Sequence, residues 1–502
     1  MQNIIMSRRQ WATWFMSTMK ASFWEKQGQK KVLKRFKAVA DQVPAYQKLL
    51  QEKNLNPDSI KTIDNFKELP IVDKKNYLKK FELTELCLDG KLSDKYLIDR
   101  SSGYSGTSFF WPRLPDEDKD YPTYMKLAYE QFYQIHEKST LMIITLALGS
   151  WVGGEKISWA TREIALRGEN PFTVITPGTN IDETLEIVEY FKNKYDQIVI
   201  VGYPPFIKTI IDEGERRGID WPSIKVKIGL GGEGYSEDWR EYIREKIGMD
   251  KNDFMGIAGG YGAADLGMSV GREYPISFLI RKLAHQNKKL AKELFGEENI
   301  PSLCQYNPAT FYIEEVDKEL IFSCQPGIPL IRYNIHDRGG VIPFDQALEI
   351  AESHGFKPFE MLTELGYTKR DIWQLPFFYV YGRSDGTVSI SGGKIYVENI
   401  KEALDDPRIA KTNTGNFKMY VEYDDRQNQK LTIKVELSNG IQSNDELVKK
   451  YQDIIVEQLL NVNSEYAILH RTNRKGVLPK VELLVYKQSE LFNDRSIKNR
   501  YI

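Results

Sequence analysis

The chain has 502 residues, of which 41% are hydrophobic and 28% charged, and its 69 Lys+Arg balance 70 Asp+Glu to a formal charge of -1. That length allows two to four domains, and the composition excludes a mainly disordered protein. The even charge removes the basic footprint of a nucleic-acid binder. Three scattered cysteines (Cys87, Cys304, Cys324) exclude a disulfide framework and a cysteine zinc site, and five histidines without a tight pair leave no Cys/His metal cluster. A reducing compartment, the cytoplasm, follows.

Trp11, Trp14, Phe15, Met19 and Phe23 recur at helical spacing near the N-terminus. The spacing predicts a helix packed on the body, with a membrane-surface helix as the alternative. No signal peptide is expected, and no run reaches the roughly 18 apolar residues of a membrane span. Residues 1–95 read as a helical lead-in, with one helix over Lys30–Leu50 stopped by Asn56-Pro57-Asp58, and a further stop at Glu68-Leu69-Pro70. Beyond it, apolar runs such as Leu141–Ile144 and Ile198–Val201 alternate with helical patterns over Asp182–Tyr195 and Phe206–Arg217. Such alternation predicts an α/β body with substantial parallel sheet. Near residue 385 the style changes. Strands over Thr387–Ile390, Lys418–Tyr423, Leu431–Leu437 and Val481–Tyr486 flank helices over Val397–Leu404 and Asp445–Leu460. The expected architecture is therefore a large N-terminal α/β domain, 1–384, and a small α+β domain, 385–502.

Five segments carry candidate chemistry. Arg100-Ser101-Ser102-Gly103-Tyr104-Ser105-Gly106-Thr107-Ser108 is rich in hydroxyls and glycine, so its N–H and O–H groups could wrap phosphate oxygens, although it is not a Walker loop. Gly229-Leu230-Gly231-Gly232-Glu233-Gly234 follows a strand and precedes a helix with Ser236 as N-cap; paired glycines there let a flat ring lie on the backbone. In Gly259-Gly260-Tyr261-Gly262-Ala263-Ala264-Asp265 an aromatic ring among glycines could stack on a base, and Asp265 could hold a divalent cation. Arg332-Tyr333-Asn334-Ile335-His336-Asp337 closes a strand with a carboxylate suited to ribose hydroxyls. Gly382-Arg383-Ser384-Asp385-Gly386 sits at the domain junction. Each segment alone reads equally as a turn or a cap.

Their order resembles the adenylate-forming superfamily, and Gly231 to Arg240, with its Ser-Glu-x-x-Arg, is similar to the phenylacetate–CoA ligase branch. The resemblance runs from about residue 95 to the C-terminus. It implies an AMP-forming ligase that binds ATP, with Mg, adenylates a carboxylic acid and passes the acyl group to a thiol, coenzyme A foremost. Other acceptors open to such a fold are a carrier protein, a protein cysteine or an amine, and a nucleotide-binding or acid-binding scaffold without full activity is a further alternative. On this resemblance Ser101, Ser102, Gly103, Ser105, Gly106 and Thr107 would hold phosphates. Gly231, Gly232 and Glu233 would border adenine, with Tyr261 and Gly262 against it. Asp337 would hold ribose, Arg383 ribose or phosphate, and Asp265 the magnesium. Asp385 is the implied hinge of a mobile small domain, and Lys498 the implied catalytic lysine of adenylation. Trp151, Gly153, Tyr203 and Gly260 would line the pocket of an aryl or apolar acid. Monomer and homodimer are both compatible with the sequence. The chain departs from the family pattern at Thr107-Ser108, which stand for Lys-Pro, at Ala264, which stands for a threonine, and at Lys498, which precedes Arg500 by two residues rather than three.

Overall fold

A computed structural model describes residues 14–94, 96–101, 109–149, 152–267 and 269–486. Helix α1 (Ala21–Gln42) buries Trp24, Gly28, Val32, Phe36 and Val39, a stripe at spacings of three and four. The single helix expected over Lys30–Leu50 is two. Pro44 lacks an N–H and clashes with a preceding turn, so the chain breaks at Val43 and restarts with Pro44 at the first position of α2 (Pro44–Glu52). Further on, Val72 donates its N–H to Arg332 O and accepts from Asn334 N, a short parallel bridge to Tyr333. Arg332 holds this lead-in down. Its guanidinium donates to the carbonyls of Lys67 and Leu69 and pairs with Glu314 at 3.2 Å.

β1 (Leu97–Ser101) and β2 (Phe109–Arg113) form an antiparallel hairpin flanking residues 102–108. Then come α3 (Tyr121–Tyr133), β3 (Thr140–Ile144), α4 (Val152–Leu166), β4 (Phe172–Ile175), α5 (Ile181–Phe191), β5 (Gln197–Gly202), α6 (Pro204–Arg216), β6 (Val226–Leu230), α7 (Glu237–Lys246) and β7 (Ile257–Tyr261). The parallel order β4-β3-β5-β6-β7 follows from covering on two faces. Leu141, Ile143, Ile198 and Ile200 pack toward α5, α6 and α7, while Met142, Ile144, Val199 and Val201 pack toward α3 and α4. This is the period of two in a strand with no wet side, and it explains the continuous apolar runs.

The parallel character ends at Tyr261. β8 (Gly271–Arg272), α8 (Pro275–Gln286), α9 (Lys288–Phe295), β9 (Ser302–Tyr306), β10 (Tyr312–Val316), β11 (Glu319–Cys324), β12 (Leu330–Ile342), α10 (Phe344–Ser353) and β13 (Phe377–Arg383) follow. The full sheet has 11 strands in the order β10-β11-β12-β13-β9-β8-β7-β6-β5-β3-β4, and every pairing from β8 outward is antiparallel. The body is thus α/β on one flank and antiparallel on the other, more mixed than the alternating pattern suggests.

After Ser384 and Asp385 come the hairpin β14 (Val388–Ile390) and β15 (Gly393–Ile395), then α11 (Val397–Leu404), β16 (Asn413–Tyr423), β17 (Gln429–Leu437), α12 (Asp445–Val462), α13 (Ser464–Thr472) and β18 (Lys480–Leu484). Their apolar core runs from Val388 to Leu483. Among the described residues no helix is long and apolar enough to cross a membrane.

Candidate active site

The carboxyl ends of β5, β6 and β7 open toward the residues after Asp385. Crevices at strand carboxyl ends are where open α/β sheets bind ligands, because the loops there are free to carry polar groups. Leu230 ends β6 and leads into Gly231-Gly232-Glu233. Gly232 has φ +81°, and a Cβ on it would lie 2.7 Å from the Tyr203 ring; Gly392 has φ +86° and a Cβ there would meet the same ring at 2.9 Å. Glycine is required at both positions by conformation and by space. The flat ring on this glycine turn is thus that of Tyr203, clasped between Gly232 and the β14–β15 hairpin.

Glu233 faces the hairpin too. Its carboxyl accepts from Gly392 N at 3.0 Å and from Gln429 Nε2 at 3.2 Å. Burial raises its pKa to about 7, against the two hydrogen bonds, which favour the charged form. Nearby, Lys208 donates to Asn428 Oδ1 at 2.8 Å. The Gly-Gly-Glu motif therefore meets the C-terminal part of the chain directly.

Tyr261 ends β7. Its ring stacks on Phe322 at 6.2 Å and meets Phe378 edge-on. Its hydroxyl donates to Asp337 Oδ2 at 2.5 Å. Asp337 on β12 stands opposite Arg383 on β13, whose guanidinium lies 3.4 Å from Asp337 Oδ1 and 2.5 Å from Asp385 Oδ2. Asp385 also accepts from Thr387 N at 3.1 Å. Burial opposes its charge, but the Arg383 hydrogen bonds and field hold its pKa below the usual carboxylate range. An Arg–Asp pair thus joins the last strand of the large sheet to the first turn beyond it.

Asp265 is buried in the short turn after Tyr261. It accepts from Tyr333 OH at 2.6 Å, and Lys74 Nζ lies 3.1 Å from its Oδ1 and 3.0 Å from its Oδ2. Burial raises the carboxyl pKa, but Lys74 and the Tyr333 hydroxyl outweigh it and hold Asp265 below its ordinary value, with Lys394 of the hairpin adding to the same direction. The resemblance assigns magnesium to this carboxylate. Its two oxygens are already engaged by a cation and a phenol, and among the described residues no cluster of three His, Cys, Asp or Glu could hold a metal. The residues do not fit a resident magnesium ion; the positive charge at Asp265 is the Lys74 ammonium. Arg113, buried against Asp99 at 2.6 Å, donates to Ala264 O at 2.5 Å and fixes the same turn.

Beneath β7 lies a buried ionic cluster. Glu273 receives Arg240 at 2.6 Å, Arg281 at 3.0 Å, Tyr235 OH at 2.5 Å and the Gly259 N–H at 2.8 Å. Burial works against this carboxylate, yet the two guanidiniums bring its pKa down to about 2. The cluster anchors the backbone one residue before Gly260.

Gly231, Gly232, Glu233, Tyr261, Gly262, Asp265, Asp337, Arg383 and Asp385 are thus gathered at one end of the sheet. Gly153 lies in the first turn of α4, and Gly260 pairs with Arg272. Of the phosphate-loop residues, Ser101 ends β1 by pairing with Phe109, while Ser102, Gly103, Ser105, Gly106 and Thr107 lie outside the described residues, as do Trp151 and Lys498. The sequence gives no sign of Lys74, and it offers Tyr333 only as part of the Arg332–Asp337 segment, without a role. Lys74 lies in the lysine-rich stretch after Pro70, where only its place beside Asp265 and the Trp111 ring in space distinguishes it.

No protein-family model matches the chain. A phenylacetate–coenzyme A ligase from Aromatoleum evansii is 19% identical over 403 residues, covering 79% of this chain and 78% of the relative. Among solved structures, 2-hydroxyisobutyryl-CoA ligase with 2-HIB-AMP and CoA in its thioester-forming state superposes with a TM-score of 0.63 and 13% identity, covering 97% of this chain and 91% of that one. The same ligase in its postadenylation state, bound to R3-HIB-AMP, gives 0.53 with 13% identity, over 94% and 88%. The chain has the fold of adenylate-forming CoA ligases.

Proposed function

We propose that this chain is an AMP-forming acid–thiol ligase, which condenses a carboxylic acid with ATP and transfers the acyl group to a thiol, coenzyme A foremost. The observation that carries the reading is the meeting of Tyr261, Asp337 and Arg383 beside Asp265 and the Gly231–Glu233 turn, at the carboxyl ends of β6 and β7. Asp337 is buried with one hydrogen bond from Tyr261 and a long contact to Arg383, so lone pairs remain for ribose hydroxyls. The Gly231–Glu233 backbone and Tyr261 border the base. The acid enters beside Gly260, and its carboxylate attacks the α-phosphorus as pyrophosphate leaves. That displacement needs positioning and charge neutralisation more than covalent help from the protein. Lys74 and Arg383 supply fixed positive charge, and Lys498 the mobile cation of the first half-reaction. Magnesium belongs with the triphosphate, as part of the substrate.

Residues 385–502 act as the mobile part, hinged at Asp385. The higher TM-score with the thioester-forming state supports an arrangement docked for thiol transfer, with the Gly392-Gly393-Lys394 turn over the site. Three free, buried cysteines support a reducing cytoplasm. A nucleotide-binding scaffold is the second reading, favoured by the missing hydroxyl at Ala264 and by Lys74 on Asp265. Acid-dependent exchange of labelled pyrophosphate into ATP decides between them. Exchange followed by CoA thioester formation supports the ligase; nucleotide binding without exchange from any acid refutes it.

A further inference from the structure

Deeply set arginines in the large body have oxygen partners. Arg113 holds Asp99, Arg240 and Arg281 share Glu273, Arg332 pairs with Glu314, and Arg35 donates to the carbonyl of Ser323. Arg272 is different. It occupies the last position of the two-residue strand β8, opposite Gly260, and its Cγ would lie 3.6 Å from a Cβ on that glycine. Its guanidinium then reaches Met125 of α3, where the thioether sulfur is its one polar contact among the described residues. A thioether is a weak acceptor, so among the described residues this five-donor cation has no carboxylate partner.

The surroundings are aromatic and phenolic. The charge of Arg272 lowers the pKa of each of Tyr121, Tyr129, Tyr133 and Tyr274, set against the burial that raises them. Tyr121 and Tyr129 spend their hydroxyls on Ser269 at 3.0 Å and Thr161 at 3.4 Å. Arg272 is only half-buried, and none of its guanidinium nitrogens is among the buried polar atoms without a partner, so its remaining N–H groups are not sealed from a ligand. Burying part of an unpaired guanidinium costs free energy that a merely structural position would avoid by using an apolar residue. The fork geometry of guanidinium matches a carboxylate bidentately.

We propose that Arg272 receives a second carboxylate on the acid substrate, so that the chain activates one end of a dicarboxylic acid whose other end is anchored beside α3. The inference rests on the ligase reading above and departs from the aryl or apolar acid expected from the sequence. The spacer runs past Gly260, where the lack of a side chain leaves room, with the tyrosine rings as its walls. A monocarboxylic acid of the same length would leave Arg272 unpaired, and a site built to pair a polar group rejects the analogue lacking it.

The test is pyrophosphate exchange with matched pairs: adipate against hexanoate, and homophthalate against phenylacetate. The wild-type chain is expected to favour the dicarboxylate in at least one pair by roughly 100-fold in kcat/KM. In Arg272→Met the ratio should fall to near unity, and Arg272→Lys should retain part of it, since a cation remains without the fork. Preference for the monoacid in both pairs, or an unchanged ratio in Arg272→Met, overturns the proposal. Calorimetric titration of the same four acids into the intact protein gives a readout independent of turnover. Dicarboxylate binding that disappears in Arg272→Met supports the site even if no acid promotes exchange, in which case the ligase reading alone fails. Equal binding of mono- and dicarboxylates by both proteins overturns the site while leaving the ligase reading to the exchange data.

Discussion

Replacing Glu233 by glutamine should remove a pH dependence from the docking of residues 385–502. In the docked arrangement Glu233 is part-buried against Gly392 and Gln429, and burial raises its pKa to about 7 from the ordinary 4.5. If this part swings away as proposed, water would return and the ordinary value would apply. The docked pKa is the higher one, so docking takes up a proton. Its stabilisation is complete below about pH 4.5 and is lost as pH rises through 7. The difference of roughly 2.5 units corresponds to about 3 kcal/mol over the whole range. Between pH 5.5 and 8 the docking constant should fall by about 30-fold. Other groups facing the carboxyl are the phenols of Tyr203 and Tyr423, the first with a pKa pushed up to about 12 by burial, so neither titrates in this window. The Glu465 carboxylate also acts on the Tyr203 phenol, raising its pKa further. Glu233→Gln keeps an acceptor for Gly392 N–H and cannot ionise. Energy transfer between dyes on Lys288→Cys and Lys449→Cys reports docking, because both positions are exposed and Cys87, Cys304 and Cys324 are buried. A wild-type profile that is flat, or a Glu233→Gln profile that falls as steeply as wild type, refutes the reasoning.

Asp337→Ala should weaken ATP binding by about 1.5–3 kcal/mol, since hydrogen bonds to a charged acceptor are lost; an unchanged calorimetric isotherm would remove its ribose role. Lys74→Met leaves Asp265 a buried carboxylate with no cation and only the Tyr333 hydroxyl as partner, and should cost about 3 kcal/mol in denaturant unfolding, the low end for a broken buried pair because Lys74 is 30% exposed. Lys74→Met with Asp265→Asn should recover most of that loss, and a double variant no better than the single one would show that the pair is not the cause. Lys498→Ala should slow pyrophosphate exchange by roughly 100-fold, about 3 kcal/mol of transition-state stabilisation, and spare thiolysis of a supplied acyl-adenylate. Exchange at the wild-type rate would move the catalytic cation to Lys394.

Local chemistry was readable where the chain carries its own signal. The runs Leu141–Ile144 and Ile198–Val201 are apolar because both faces of β3 and β5 are covered, and Ser236 caps α7 through its bond to Trp239 N as its place before Glu237 suggests. The turns at Gly232, Gly382 and Gly386 were visible because each holds a positive φ that glycine adopts freely. What could not be read was charge pairing across long separations. Lys74 and Asp265 are 191 residues apart, and Arg240 and Glu273 become partners only once β7 and β8 pair. The antiparallel flank was hidden for a related reason: the partners of β9 to β13 are set by the order of the sheet, not by periodicity. The sequence offers Tyr203 as a pocket wall; its contact with Gly392 depends on the hairpin after Asp385 and cannot be seen in the sequence.

The stapling of the lead-in by Arg332 has a consequence for biosynthesis. The carbonyl of Lys67 leaves the ribosome 265 residues before the guanidinium that will hold it. At about 5–20 residues per second, that interval is on the order of 10–50 seconds. Throughout it, the apolar stripe of α1 and α2, from Val32 and Phe36 to Tyr46 and Leu50, waits for β10, β11 and β12, the strands that complete its core. The nascent chain thus carries a sticky helical pair for most of its synthesis, and its yield in the cell should depend on holdase chaperones acting on the first 94 residues and on the speed of translation up to residue 342.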